Sequence, residues 1–327
     1  MIIMEEKIKI YLAKETLQTL LKDMEMFEFY KKDGNLNKND FLNTLIINYY
    51  ESYQKNLNEV FHSIKKIVKD TDMSIAYDIL QIFETKVNRL DEAKFDALIS
   101  LKPTKRSSSV IHYIQQCLLQ GSSMSNYFRN MLTSYSLLPQ DKREQIIFKE
   151  NYELLKEAIR KKQKVYFTTT TSDVKHVTSP YTIASAKEEL FNYLLTEYKD
   201  KAYSFRLSRI KEVVILNEPC EFSEEIVASL EKMLVCGPQF AINDEQEICV
   251  ELTEHGQQMY KKMYLHRPTP VRVENNYYYF DCSSNHIYQY FFRFGNHAYV
   301  VYPKELRNDM EQGYHNALRV YQRKKRY

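Results

Sequence analysis

The chain has 327 residues, 44% of them hydrophobic, and a formal net charge of only +3. That length suits two or three domains of ~100–200 residues each, and the apolar content excludes a globally disordered chain. The near-neutral balance excludes a whole-chain basic signal for nucleic acid, so any such site must be local.

Residues 7–12, Lys-Ile-Lys-Ile-Tyr-Leu, alternate strictly and predict a short strand. Ile8, Ile10 and Leu12 share its apolar face, and Lys7, Lys9 and Tyr11 share the other. Helical spacing follows at Leu17, Leu20, Leu21 and Met24, Gly34 ends the segment, and Asn37 is placed to cap a second helix beginning at Lys38. Residues 56–161 read as helical almost throughout, 56–150 forming a connector with soft breaks at 101–109 and at Gly121-Ser122-Ser123. No internal repeat is visible.

From Lys164 the texture changes to β-branched and aromatic runs: VYFTTT, VKHVT, FNYLLTEY, YSFRLS and EVVIL. Five short strands in some fifty residues predict a small twisted sheet or barrel. Ser223 can cap a helix carrying Ile226, Leu230 and Leu234. The pattern beyond predicts strands at 248–252, 277–281 and 298–302, with helices at 254–264, 284–294 and from Pro303. Ile287, Tyr290, Phe291 and Phe294 form one helical stripe and read as core, although the Tyr/Phe clusters at 277–280 and 288–294 are also candidates for a stacking surface. The end, RVYQRKKRY (319–327), is a basic tail that could track a phosphate backbone or simply be solvated.

A lone short strand needs a partner. Strand, helix, loop and helix within residues 1–55, KIKIYLAKETLQTLLKDM followed by NLNKNDFLNTLIINYYESY, resemble the ribbon-helix-helix family. The resemblance implies a homodimer whose paired strands present Lys7, Lys9 and Tyr11 to a duplex groove, with Asn37 and Lys38 at a helix N-terminus facing a phosphate. The segment is not basic, holding eight Lys against nine Asp and Glu.

Residues 151–218 resemble the WYL domain through HVTSPYTIASAKEELFNYLLTEYKDKAYSFRLSRIKEVVIL, with Asn192 where the family has its Trp. The resemblance implies an Sm-like, SH3-type β-barrel with a positively lined pocket. Its lining would be Tyr166, His176, Tyr181, Tyr193, Arg206 and Arg209. Such a pocket suits an anionic, nucleotide-like effector, because arginine forks pair with phosphate and stack on rings. The plainer alternative is that Arg206 pairs with a local acid such as Glu189 or Glu197. Residues 219–318 resemble the α+β extension that follows WYL domains.

The fold expected is therefore α+β and multidomain: ribbon-helix-helix (1–55), helical connector (56–150), WYL barrel (151–218), extension (219–318) and tail (319–327). Five scattered cysteines without a CxxC pair suit a reducing, cytoplasmic setting and predict neither a disulfide framework nor a metal site. Acids stand where a signal peptide would be positive, and no run reaches ~18 apolar residues, so no membrane span is expected. Walker A, HExxH and GxSxG motifs are absent, and Arg293 and His297 are one residue too close for the Arg–His signature of a large RNase class. No catalytic residues and no cofactor are expected. Two functions fit: a ligand-responsive transcriptional regulator binding DNA, and an accessory protein resembling those of type VI-D CRISPR loci, which bind single-stranded RNA and modulate an RNA-guided nuclease.

Overall fold

The computed structural model describes residues 7–68, 73–88, 94–119, 122–186, 190–240 and 247–324. They fall into two compact units, 1–150 and 151–327, in an α+β architecture built on antiparallel sheets.

The first unit runs β1 (Ile8–Leu12), α1 (Lys14–Met26), α2 (Lys38–Val68), α3 (Met73–Val87), β2 (Ala97–Leu101), α4 (Ser108–Tyr113), α5 (Met124–Ser136) and α6 (Gln140–Ile147). Asn37 caps α2 as its position predicts, its Oδ1 accepting from the Asp40 N–H at 3.4 Å. The partner of β1 is in the same chain. All five of its residues pair antiparallel with β2, Lys9 opposite Ser100 and Tyr11 opposite Leu98.

Two expectations are thereby corrected. Residues 56–150 are not wholly helical, and the ribbon is not made by two chains. The reason lies in Ala97-Leu98-Ile99-Ser100-Leu101, whose alternation matches that of β1: Ile99 and Leu101 are buried with Ile10 and Leu12, while Leu98 and Ser100 face outward. The other edge of β1 is also occupied. The Lys9 carbonyl accepts from Ser125 Oγ at 2.9 Å, and the Tyr11 carbonyl accepts from Arg129 Nε at 2.7 Å, both reaching from α5. A strand from a second chain would have to displace those bonds. Strand, helix, helix thus occurs twice in this unit, first as β1-α1-α2 and then as β2-α4-α5.

Under the ribbon lies a buried ion pair. Arg143, on α6, grips Asp23 of α1 with both arms, at 2.7 Å and 2.9 Å, and the Tyr135 hydroxyl donates to the same carboxylate at 2.8 Å. Asp23 is fully buried. Burial and the neighbouring Asp23 charge hold the Tyr135 hydroxyl well above its ordinary titration range. Burial alone would lower Arg143, but the bonds to Asp23 outweigh it and the net shift is upward.

The second unit follows α7 (Lys149–Lys161) with five antiparallel strands: β3 (Gln163–Thr169), β4 (Ser172–Ser185), β5 (Asn192–Tyr198), β6 (Lys201–Arg206) and β7 (Ile210–Pro219). Their order in the sheet is β6-β5-β4-β3-β7. All five predicted strands are present, but the barrel expected is not closed. β6 and β7 form the two edges, joined only by a 3₁₀ turn at Leu207–Arg209. The turn holds the two edges close at that end, but no ladder pairs β6 with β7, so the sheet stays open between them.

Beyond it lie α8 (Glu224–Cys236), β8 (Ile248–Leu252), α9 (Glu254–Lys262), β9 (Arg272–Glu274), β10 (Tyr277–Phe280), α10 (Ser284–Phe291), β11 (Ala298–Tyr302) and α11 (Lys304–Lys324). Ser223 caps α8, accepting from the Ile226 N–H. The βαββαβ order of β8 to β11, with sheet order β11-β8-β10-β9 and every pair antiparallel, is the split βαβ arrangement. Ile287, Tyr290, Phe291 and Phe294 are buried in its core with Val250, Leu252 and Phe280, as their helical spacing predicts. Gly256 is required here: a Cβ on it would collide with the His297 carbonyl oxygen, where α9 presses on the chain entering β11. Residues 319–324 of the expected tail continue α11 as helix, while Lys325 and Arg326 lie outside the described residues. No described helix is long and apolar enough to cross a membrane.

Candidate nucleic-acid interface

The five-stranded sheet separates the residues expected to form one pocket. Arg206 and Tyr193 do come together, as register partners across β5 and β6. The Arg206 guanidinium lies over the Phe191 ring, 3.3 Å from its centroid, and its Nε donates to Ser208 Oγ at 2.7 Å. Phe191 sits in the element that the Tyr-Leu motif brings, just before β5. Arg209 closes the 3₁₀ turn three residues after Arg206 and is exposed. A planar cation over a ring and steered by a hydroxyl is fixed in direction, and arginine side chains in such settings pair with phosphate or stack on bases.

Of the two acids that could hold Arg206, Glu197 is engaged elsewhere. It accepts from Ser179 Oγ and from the Asp200 N–H, at 3.0 Å and 2.9 Å, near the far end of β5. Glu189 lies outside the described residues.

The other expected lining residues go elsewhere. Tyr166 alternates with the buried Val165 and Phe167, so it faces away from them, between Val177 and Val214, both about half exposed. Tyr181 turns to α8: its hydroxyl donates to Glu231 and its ring packs on Phe222 at 5.6 Å. His176 lies with Phe167, Tyr198 and Phe205, ring centroids 5.5, 5.2 and 5.0 Å away. Burial, with Lys199 nearby, lowers its titration range, which favours the neutral ring in that aromatic cluster. The structure therefore does not gather these three with Arg206 and Tyr193: Tyr166 lies farther across the sheet, α8 takes Tyr181, and His176 joins the aromatic cluster on the other face.

The ribbon offers a second cluster. Lys7, Lys9 and Tyr11 are exposed, as their alternation predicts, and Leu98 and Ser100 complete the outward face. Asn37 and Lys38 lie at the start of α2, but the neighbouring Asn39 is committed to structure: its Oδ1 accepts from the Lys102 N–H at 2.7 Å. Asn43, one turn on, donates to the Lys102 carbonyl at 3.1 Å. The N-terminus of α2 is therefore stapled to the end of β2, a use that sequence reasoning missed for want of β2.

No protein-family model matches the chain, and no curated protein matches it. Among solved structures, the fold is similar end to end to one described as a CRISPR Cas-related protein. The TM-score is 0.71 at 20% identity, covering 98% of this chain and 95% of that one. Proteasome accessory factor B/C (PafBC) of Arthrobacter aurescens aligns over 67% of this chain and 37% of its own, at 13% identity and a TM-score of 0.26.

Proposed function

We propose that this chain is a non-enzymatic accessory protein of a CRISPR system that binds single-stranded RNA and modulates an RNA-guided nuclease. The observation that carries the reading is Arg206 stacked on Phe191 beside Tyr193 and Ser208. Arginine and aromatic rings that stack on unpaired bases are the usual means of holding single strands. An anionic, nucleotide-like effector would use the same fork. The end-to-end likeness to a CRISPR Cas-related protein supports this over the regulator reading. The test is cleavage of a target RNA by an RNA-guided nuclease encoded beside the chain, with and without the chain present. A rate that responds to wild type and not to Arg206→Ala supports the proposal; a rate indifferent to both defeats it.

A second reading, duplex DNA recognition by a transcriptional regulator, is favoured by one observation, the exposed row Lys7, Lys9 and Tyr11 on the ribbon. It requires sequence-selective binding to upstream duplex DNA that Lys9→Ala abolishes.

A further inference from the structure

The outward face of the four-stranded sheet is unexplained by folding. Its inward face, with Ile248, Val250, Leu252, Tyr278, Phe280 and Val300, packs on α9, α10 and α11. Alternation puts Tyr277 and Tyr279 of β10 and Tyr299 of β11 on the outward face, and a register shift between Val300 and Tyr302 brings Tyr302 opposite Cys249 on that face as well. The registers set them in two rows. Tyr277 and Tyr299 flank Glu251 of β8, and Tyr279 and Tyr302 flank Cys249. Tyr299 is 52% exposed and Tyr302 38%, so this face is open to solvent.

Three of the four hydroxyls are tied to charged neighbours. Tyr302 donates to Glu247 at 3.1 Å, Tyr279 to Glu274 at 3.2 Å, and Arg307 donates to the Tyr299 hydroxyl at 3.4 Å. Arg272 lies over the Tyr279 ring, 3.7 Å from its centroid, held by Glu247 at 3.2 Å and Glu274 at 3.4 Å, which leaves Tyr277, Tyr299 and Tyr302 as the uncovered rings. Strand spacing puts the rings of one row about 10 Å apart across β8 and those of one strand about 7 Å apart along it. A four-stranded sheet with aromatic side chains on its open face is a known way of splaying and stacking unpaired bases.

We propose that this tyrosine face is a second single-strand nucleic-acid site, separate from Arg206, on which bases stack on the Tyr277, Tyr299 and Tyr302 rings. The face is not basic: Arg272 and Arg307 stand beside Glu247, Glu251 and Glu274. Its contribution therefore comes from stacking, which every base can make, and not from phosphate neutralisation. Two arginines would add at most about −1.4 to the logarithmic salt slope for a single strand. The carboxylates are placed to accept from base amino groups.

The test uses the full chain and a fluorescein-labelled single-stranded RNA of about a dozen nucleotides, its matching duplex as control, with anisotropy read at low and physiological salt. Tyr299→Leu with Tyr277→Leu keeps apolar bulk and is expected to weaken single-strand binding about tenfold or more, equally at both salts. Tyr299→Phe keeps the ring and should stay near wild type. Circular dichroism of each variant checks the fold, and ultraviolet crosslinking of wild-type chain to 4-thiouridine RNA should label peptides within 272–302. Unchanged affinity in a folded double-Leu variant, with crosslinks only elsewhere, overturns the proposal while leaving the Arg206 reading intact. Loss of nuclease modulation without loss of RNA binding would show a protein-docking face and also overturn it.

Discussion

Replacing Arg143 with Met would leave the Asp23 carboxylate fully buried with the Tyr135 hydroxyl as its remaining bond among the three described above. Two charge-assisted bonds at 2.7 Å and 2.9 Å would be lost from a fully buried carboxylate. Breaking a buried pair by removing one partner typically costs about 3–5 kcal/mol, because the other charge stays desolvated. For a unit of this size each kcal/mol lowers Tm by roughly 2–4 °C, so the expected fall is on the order of 10 °C. Asp23→Leu combined with Arg143→Met removes both charges and should recover most of the loss. Thermal melts followed by circular dichroism read all three proteins. The reasoning fails if Arg143→Met melts within ~2 °C of wild type, or if the double variant is no more stable than the single.

Three further outcomes follow from the same structure. Lys9→Cys with Ser100→Cys, in a Cys117→Ser background, should form a disulfide within one chain, because the two residues are opposite across the ribbon; a dimer band on a non-reducing gel would instead indicate pairing between chains. His176 has a folded titration range below its ordinary value of about 6.5. Protons therefore bind the unfolded chain more readily, so the stability His176 lends is intact above that value and is lost as pH falls through it. The drop in Tm between neutral and mildly acidic buffer should shrink in His176→Phe, and an unchanged drop contradicts the assignment. Ser223→Ala removes the oxygen that accepts from the Ile226 N–H and should cost about 1 kcal/mol by denaturant melt, with no change in m-value.

Much of the local structure was legible. Alternation at residues 8–12, the cap at Asn37, the five strands between 163 and 219, and the buried stripe through Ile287, Tyr290, Phe291 and Phe294 all follow from period and cap chemistry. What escaped was long-range. Ala97–Leu101 is a five-residue run inside a helical region, and its partner lies ninety residues earlier, so nothing local marks it as the other half of the ribbon. Phe191, next to the Asn192 that stands where the family has its Trp, is the ring over which Arg206 lies, a pairing made across the sheet that local sequence does not mark. The WYL resemblance groups Tyr166, Tyr181 and His176 in one pocket, and strand register and α8 distribute them to three surroundings. The YYYF run contained both answers: Tyr278 and Phe280 are core, and Tyr277 and Tyr279 face outward.

The central claim is tested most directly by the affinity of the full chain for single-stranded RNA when Arg206 is changed to Ala and to Lys. Stacking against Phe191 needs a planar cation, so both variants should bind about tenfold or more weakly, with Lys failing to rescue. Wild-type affinity in Arg206→Ala would contradict the account, and full affinity in Arg206→Lys would contradict the stacking on which it rests.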